Sequence, residues 1–157
     1  MRDQLSRLNV GSGVTQSVLR VVVGVLLAWH GYRKFADGLD GFEGFLSFLE
    51  LPAPGILAVV VALLELVGGI MLALGLATRL ISLLFVVQFG LIVLWVKLIK
   101  LDSVLLAGTE QPALEIDLLI LSATLFFLFA GPGAIAADRM LGLEAESERS
   151  DPVPVGA

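Results

Sequence analysis

LPAPGILAVVVALLELVGGIMLALGLATR, residues 51–79, decides the fold. From Gly55 to Leu76 the chain carries a single charged side chain, Glu65. A helix needs ~20 mostly apolar residues to cross a bilayer, and backbone amides in hydrocarbon must be satisfied within their own segment, so the run reads as a membrane-spanning helix. Pro52 and Pro54 stand at its entry, where a helix start tolerates them. Thr78 and Arg79 open the next apolar run after only Ala77, which predicts a tight antiparallel hairpin.

Read outward in the same way, the chain yields four such helices, at about 14–32, 55–76, 78–99 and 113–130. The composition agrees: of 157 residues, 57% are hydrophobic and 16% charged, with a mean hydropathy of +0.96. The expected fold class is all-α, an integral membrane four-helix bundle over residues 14–140, preceded by a cytoplasmic segment 1–13 and followed by a disordered acidic tail, 141–157. Arg2, Arg7, Arg20, Arg79, Arg139 and Arg149 fall on one side of the membrane and Arg33, Lys34, Lys97 and Lys100 on the other. That count places both termini in the cytoplasm and the protein in the plasma membrane. The first helix ends in HGYRKF rather than a small-residue cleavage site, so it is retained.

A net charge of −5 with scattered basic residues excludes a nucleic-acid partner. The absence of cysteine removes disulfides, dithiol chemistry and thiolate metal sites, and one histidine cannot by itself build a metal or haem site within a protomer. No metal is expected. Between the first two long helices, Phe42, Phe45, Leu46 and Leu49 recur on one face with Glu43, Ser47 and Glu50 opposite, the pattern of a short amphipathic surface helix. Asp40 and Glu43 have the spacing of a capping box.

The polar residues at depth are the candidate site. Glu65 lies near the bilayer midplane on a small-residue seam with Ala58, Ala62, Gly69 and Ala73, where a carboxylate must find a partner. Counting 1.5 Å per residue puts His30 nearly level with it, so His30 is the expected partner, with Gln88 as a neutral third member. His30 lies about 100° from the Gly24, Ala28 and Gly31 seam of its own helix, which leaves a position facing the last helix open. A second cluster near the outer surface comprises Lys34, Lys97, Glu115 and Asp117, with Asp117 pointing inward against Lys97. Arg20, Arg79 and Asp138 form an inner structural set, with an Arg79 to Asp138 tie.

These residues resemble the DoxX family of small four-helix membrane proteins. The similarity rests on Arg20, on His30-Gly31 with Lys34, on the 51–79 stretch, and on EIDLLILSATLFFLFAGPGAIAAD with Glu115, Gly131-Pro132-Gly133 and Asp138. The chain departs from the family in carrying Ala136-Ala137 before Asp138, where such proteins often have a Ser-Leu pair. The resemblance implies a membrane subunit linked to quinone-dependent oxidation or to oxidative-stress and thiol-homeostasis partners. Three readings follow: a non-catalytic membrane anchor or subunit that recruits a redox protein, alone or as an oligomer; a quinone-binding redox component with its site at His30, Glu65 and Gln88; and a proton-coupled solute transporter. No self-contained catalytic constellation is present.

Overall fold

The computed structural model describes residues 12–100 and 114–142. Residues 1–11, 101–113 and 143–157 lie outside it, and with them the expectations for most of the N-terminal segment and for the acidic tail. All regular structure among the described residues is helical. Helix α1 is Ser12–Ala36, α2 is Asp40–Phe48, α3 is Pro54–Leu74, α4 is Thr78–Leu91 with a continuation over Ile92–Lys100, α5 is Leu114–Ala130 and α6 is the short Ala137–Met140. Three of these are long and apolar enough to cross a membrane: Gly13–Ala36, Pro54–Leu74 and Thr78–Lys97, with mean hydropathies of 1.3, 2.7 and 2.3. This is a membrane protein built of helices. Helix α5 adds 17 residues, most of them apolar, packed along α4.

Helix α1 runs one turn beyond the boundary read from sequence, through Arg33 and Lys34, because two basic side chains in its last turn complement the helix dipole. Helix α2 begins at Asp40, and no side chain caps it. The expected capping box is not formed. Glu43 instead lies against Gly55 at the start of α3, where a Cβ would sit 3.1 Å from its Oε1, a favourable place for a carboxylate.

Helices α1 and α3 meet backbone to backbone. A Cβ added to Gly31 would lie 2.3 Å from the Leu66 nitrogen, and one added to Gly24 2.4 Å from the Ala73 nitrogen. From the other side, a Cβ on Gly69 would lie 2.4 Å from the Ala28 nitrogen. Small residues let the helix axes approach this closely, which increases dispersion contact where lipid offers no hydrophobic driving force. Helix α4 turns back from α3 through Gly75 and Ala77, both in the left-handed region at φ 72° and 48°. The middle of the bundle is apolar, built from Val23, Leu27, Leu72, Ile81, Phe85 and Phe127 with their neighbours. Polar side chains collect above and below that layer.

Two stretches depart from α-helical winding. Leu64–Gly68 within α3 and Ile92–Lys100 at the end of α4 form π-helical turns. Each contains a buried charged residue, Glu65 in the first and Lys97 in the second. Such turns are rare and recur at functional sites, because the widened turn re-aims side chains and loosens the backbone ladder.

Candidate functional site

One polar layer, toward the Lys34 end of α1, centres on Glu65, which is 4% exposed. Its Oε2 forms an ion pair with Lys34 Nζ, and its Oε1 accepts a hydrogen bond from Gln88 Nε2 at 2.9 Å. Gln88 is itself buried, and its Oε1 has no hydrogen-bond partner among the described residues. The carboxylate thus ties α1, α3 and α4 together. Lys34 also packs over the ring of Phe42, with Nζ 5.0 Å from the centroid, so α2 closes the pair from outside.

Beside it, Lys97 Nζ meets Asp117 Oδ2 at 3.3 Å, joining α4 to α5. Lys34 stands close enough to Asp117 for its charge to act on that carboxylate, so the two ion pairs are neighbours. Glu115 is half-buried on the same helix. A recess of about 340 Å³ opens above these pairs, lined by His30, Arg33, Lys34, Asp37, Gly41 and Phe42 among others. Arg33 and Asp37 are paired at 2.8 Å on its rim.

The second polar layer, toward the opposite end of α1, is a clasp. Arg20, 2% exposed, donates to the carbonyls of Pro132, Ile135 (2.7 Å) and Ala73 (3.4 Å), binding α1 to the segment after α5 and to α3. Gln16 donates to the Gly131 carbonyl at 2.7 Å, and Ala134 N–H to that of Gly13 at 2.9 Å. Asp138 accepts the amides of Ala77 at 2.6 Å and Thr78 at 2.9 Å, and so caps α4 at its strained entry. Arg79 donates to the Leu128 carbonyl at 3.3 Å. The carboxylate of Asp138 therefore serves the backbone of the turn, where an Arg79 tie was expected.

The largest correction concerns His30. Its side chain is exposed, and Glu65 takes Lys34 and Gln88 as partners instead. The reason is angular: the Gly24, Ala28 and Gly31 seam faces α3, which turns His30 away toward the recess and Asp117. Gln88 lies where the sequence placed it, and so do Lys97 and Asp117 as neighbours.

Residues 15–98, just over half of the chain, match the DoxX family. The chain belongs to the DoxX family. Among curated relatives, a Bacillus subtilis (strain 168) protein named "Putative oxidoreductase CatD" is 31% identical over 122 residues, which cover 77% of this chain and 82% of the relative. No solved structure gives a significant match. The DoxX match contains Arg20, His30, Lys34, Glu65, Gln88 and Lys97 and ends before Asp117. In this DoxX protein the partner of Glu65 that sequence reasoning missed is Lys34, assigned only to the cluster with Lys97, Glu115 and Asp117. A signal was present: Arg20, Leu27 and Lys34 recur at intervals of seven, so Lys34 shares the most deeply buried face of α1.

Proposed function

We propose that this DoxX protein is a non-catalytic membrane subunit, an anchor for a redox or thiol-homeostasis complex. One observation carries the reading: each buried charged side chain among the described residues is answered from within the chain. Glu65 has Lys34 and Gln88, Lys97 has Asp117, Arg20 has three carbonyls and Asp138 has two amides. Charges so matched hold helices together at depth, where an unmatched one is costly. The redox link is drawn from the resemblance and from the relative's name. On this reading α5 is the fourth crossing of a bundle in the plasma membrane, with Arg20, Arg79 and Arg139 on the cytoplasmic side, together with both termini. The transport reading is disfavoured by the apolar middle layer, which separates the two polar layers.

A second reading has its own support. The recess beside His30 and Lys34 has the volume of a small-ligand pocket, an aromatic wall in Phe42 and three nitrogen-bearing side chains, features that fit a quinone head group. His30, Arg33 and Lys34 would hold it, and such a carrier would supply the electron transfer that this chain's own residues lack. Glu65 and Gln88 lie behind Lys34 and would act through it.

Purification from native membranes in mild detergent decides between the two. A stoichiometric protein partner without enriched quinone in organic extracts supports the anchor, whereas stoichiometric quinone retained by the wild type and lost on His30→Ala supports the carrier site. Neither a partner nor quinone would remove both. Orientation is tested with an impermeant thiol reagent on Phe45→Cys in intact cells, because the chain has no native cysteine. Labelling from the cytoplasmic side only would invert the topology.

A further inference from the structure

The two ends of the molecule expose apolar side chains in opposite electrostatic settings. At the inner end, Ile135, Met140 and Leu141 are exposed beside Arg79 and Arg139. Apolar side chains flanked by arginine suit a surface of anionic lipid headgroups. At the outer end, Leu46 of α2 and Leu49 just past its end are buried, whereas Phe45 (36%) and Phe48 (74%) are exposed. Helix α2 contains no Lys or Arg; its charged residues are Asp40 and Glu43, both exposed. Among the described residues, the neighbouring cations Arg33 and Lys34 are already engaged, with Asp37 and Glu65. An anionic lipid surface would repel this helix, so the exposed rings lack the cationic flank of a lipid-seated helix.

We infer that the outward surface of α2 is the docking face for a soluble protein domain whose contact surface carries an apolar socket rimmed by Lys and Arg. The inference rests on the reading of the chain as the membrane subunit of a complex, and it names the face and the chemistry of its partner. The local shape suits that occupant. Among the described residues nothing lies within 4 Å of a Cβ built on Gly41 or Gly44, so bare backbone flanks the rings and lets a partner approach closely. The recess beside Gly41 and Phe42 gives the same surface a depression next to the protruding Phe48, the ring-and-pocket arrangement in which interface energy concentrates. Acidic residues around apolar anchors set orientation and association rate toward a cationic surface.

The test uses the full chain in lipid nanodiscs with one nitroxide at Phe48→Cys. In the chain alone the label should be more accessible to an aqueous nickel chelate than to dissolved oxygen, and in the complex purified from native membranes it should be immobilised and shielded. Phe48→Ser with Phe45→Ser should lower partner recovery about tenfold or more, as removal of a central aromatic anchor does, while the thermal midpoint of the bundle stays unchanged. Added salt should release the wild-type partner. A label shielded from nickel but open to oxygen would seat the ring in lipid and overturn the inference. Full partner recovery by the double variant would overturn it too, while leaving the subunit reading standing. A wild type that brings down no stoichiometric partner would defeat the subunit reading itself, and the inference with it.

Discussion

Removing Lys34 should cost more than removing the charge it neutralises. In Lys34→Met, Glu65 remains 4% exposed with only Gln88 Nε2 donating to it, so a carboxylate is left uncompensated at depth. Breaking a buried pair from one side costs about 3 kcal/mol or more. In Glu65→Gln the outcome differs at both ends. The Lys34 side chain is 20% exposed, so its ammonium can swing up toward the recess on an apolar stem. The new amide can also donate to Gln88 Oε1, the acceptor that has no partner among the described residues. The expected cost is about 1 kcal/mol, the net worth of one ordinary hydrogen bond. Combining the two changes removes both charges, so the double variant should lie below the sum of the singles by ~1 to 2 kcal/mol, near the upper end for polar pairs within membranes. Equilibrium unfolding in mixed micelles titrated with SDS gives all four free energies. Additive costs, or a Glu65→Gln variant less stable than Lys34→Met, would refute the pairing as the source of stability.

Other outcomes follow from the same geometry. His30→Ala should be additive with Glu65→Gln within about 0.5 kcal/mol in that assay, since the two side chains share no contact. Gly31→Ala and Gly69→Ala should each cost about 1 to 3 kcal/mol, because Cβ atoms 2.3 and 2.4 Å from neighbouring backbone nitrogens force α1 and α3 apart. Gly44→Ala in the open part of α2 should instead stabilise by up to about 1 kcal/mol through helix propensity, read as a raised thermal midpoint. Asp138→Ala should cost about 1 to 2 kcal/mol by uncapping α4, and hydrogen exchange at Ala77 and Thr78 should accelerate before that of the bundle core.

The long helices were legible because crossing a bilayer demands an apolar run that little else resembles. So was the α1 and α3 seam, since Gly24, Gly31 and Gly69 have few other uses in mid-helix. Lys97 and Asp117 could be matched by depth alone. The partner of Glu65 could not, because depth counted along Cα atoms ignores reach. Gly31 sits against Ala62 and Leu66, so Lys34 stands one turn above Glu65 and spans that distance with its stem. His30 satisfied the count of heights and failed on direction. The π-helical turns at Glu65 and Lys97 left no mark in the sequence, since a 3.6-residue wheel assumes uniform winding. Asp138 was identified as structural, but its role as acceptor for the Ala77 and Thr78 amides depends on the segment after α5 folding back, which residue spacing does not disclose.

The chain order of the charge pairs bears on how the protein enters the bilayer. Lys34 on α1 is answered by Glu65 on α3, Glu65 is answered again by Gln88 on α4, and Lys97 on α4 by Asp117 on α5. Lys34, Glu65 and Lys97 each therefore leave the insertion machinery before a polar partner on a later helix has arrived. The first helix, with a mean hydropathy of only 1.3 and Arg20 in its length, is the weakest of the three long spans to insert alone, while α3, at 2.7, can absorb the cost of an unpaired Glu65 until Lys34 is in reach. Release into lipid then becomes a stepwise cancellation of charge along the nascent chain, and a delay between α1 and α3 is the interval at which the quality-control machinery would meet an exposed lysine.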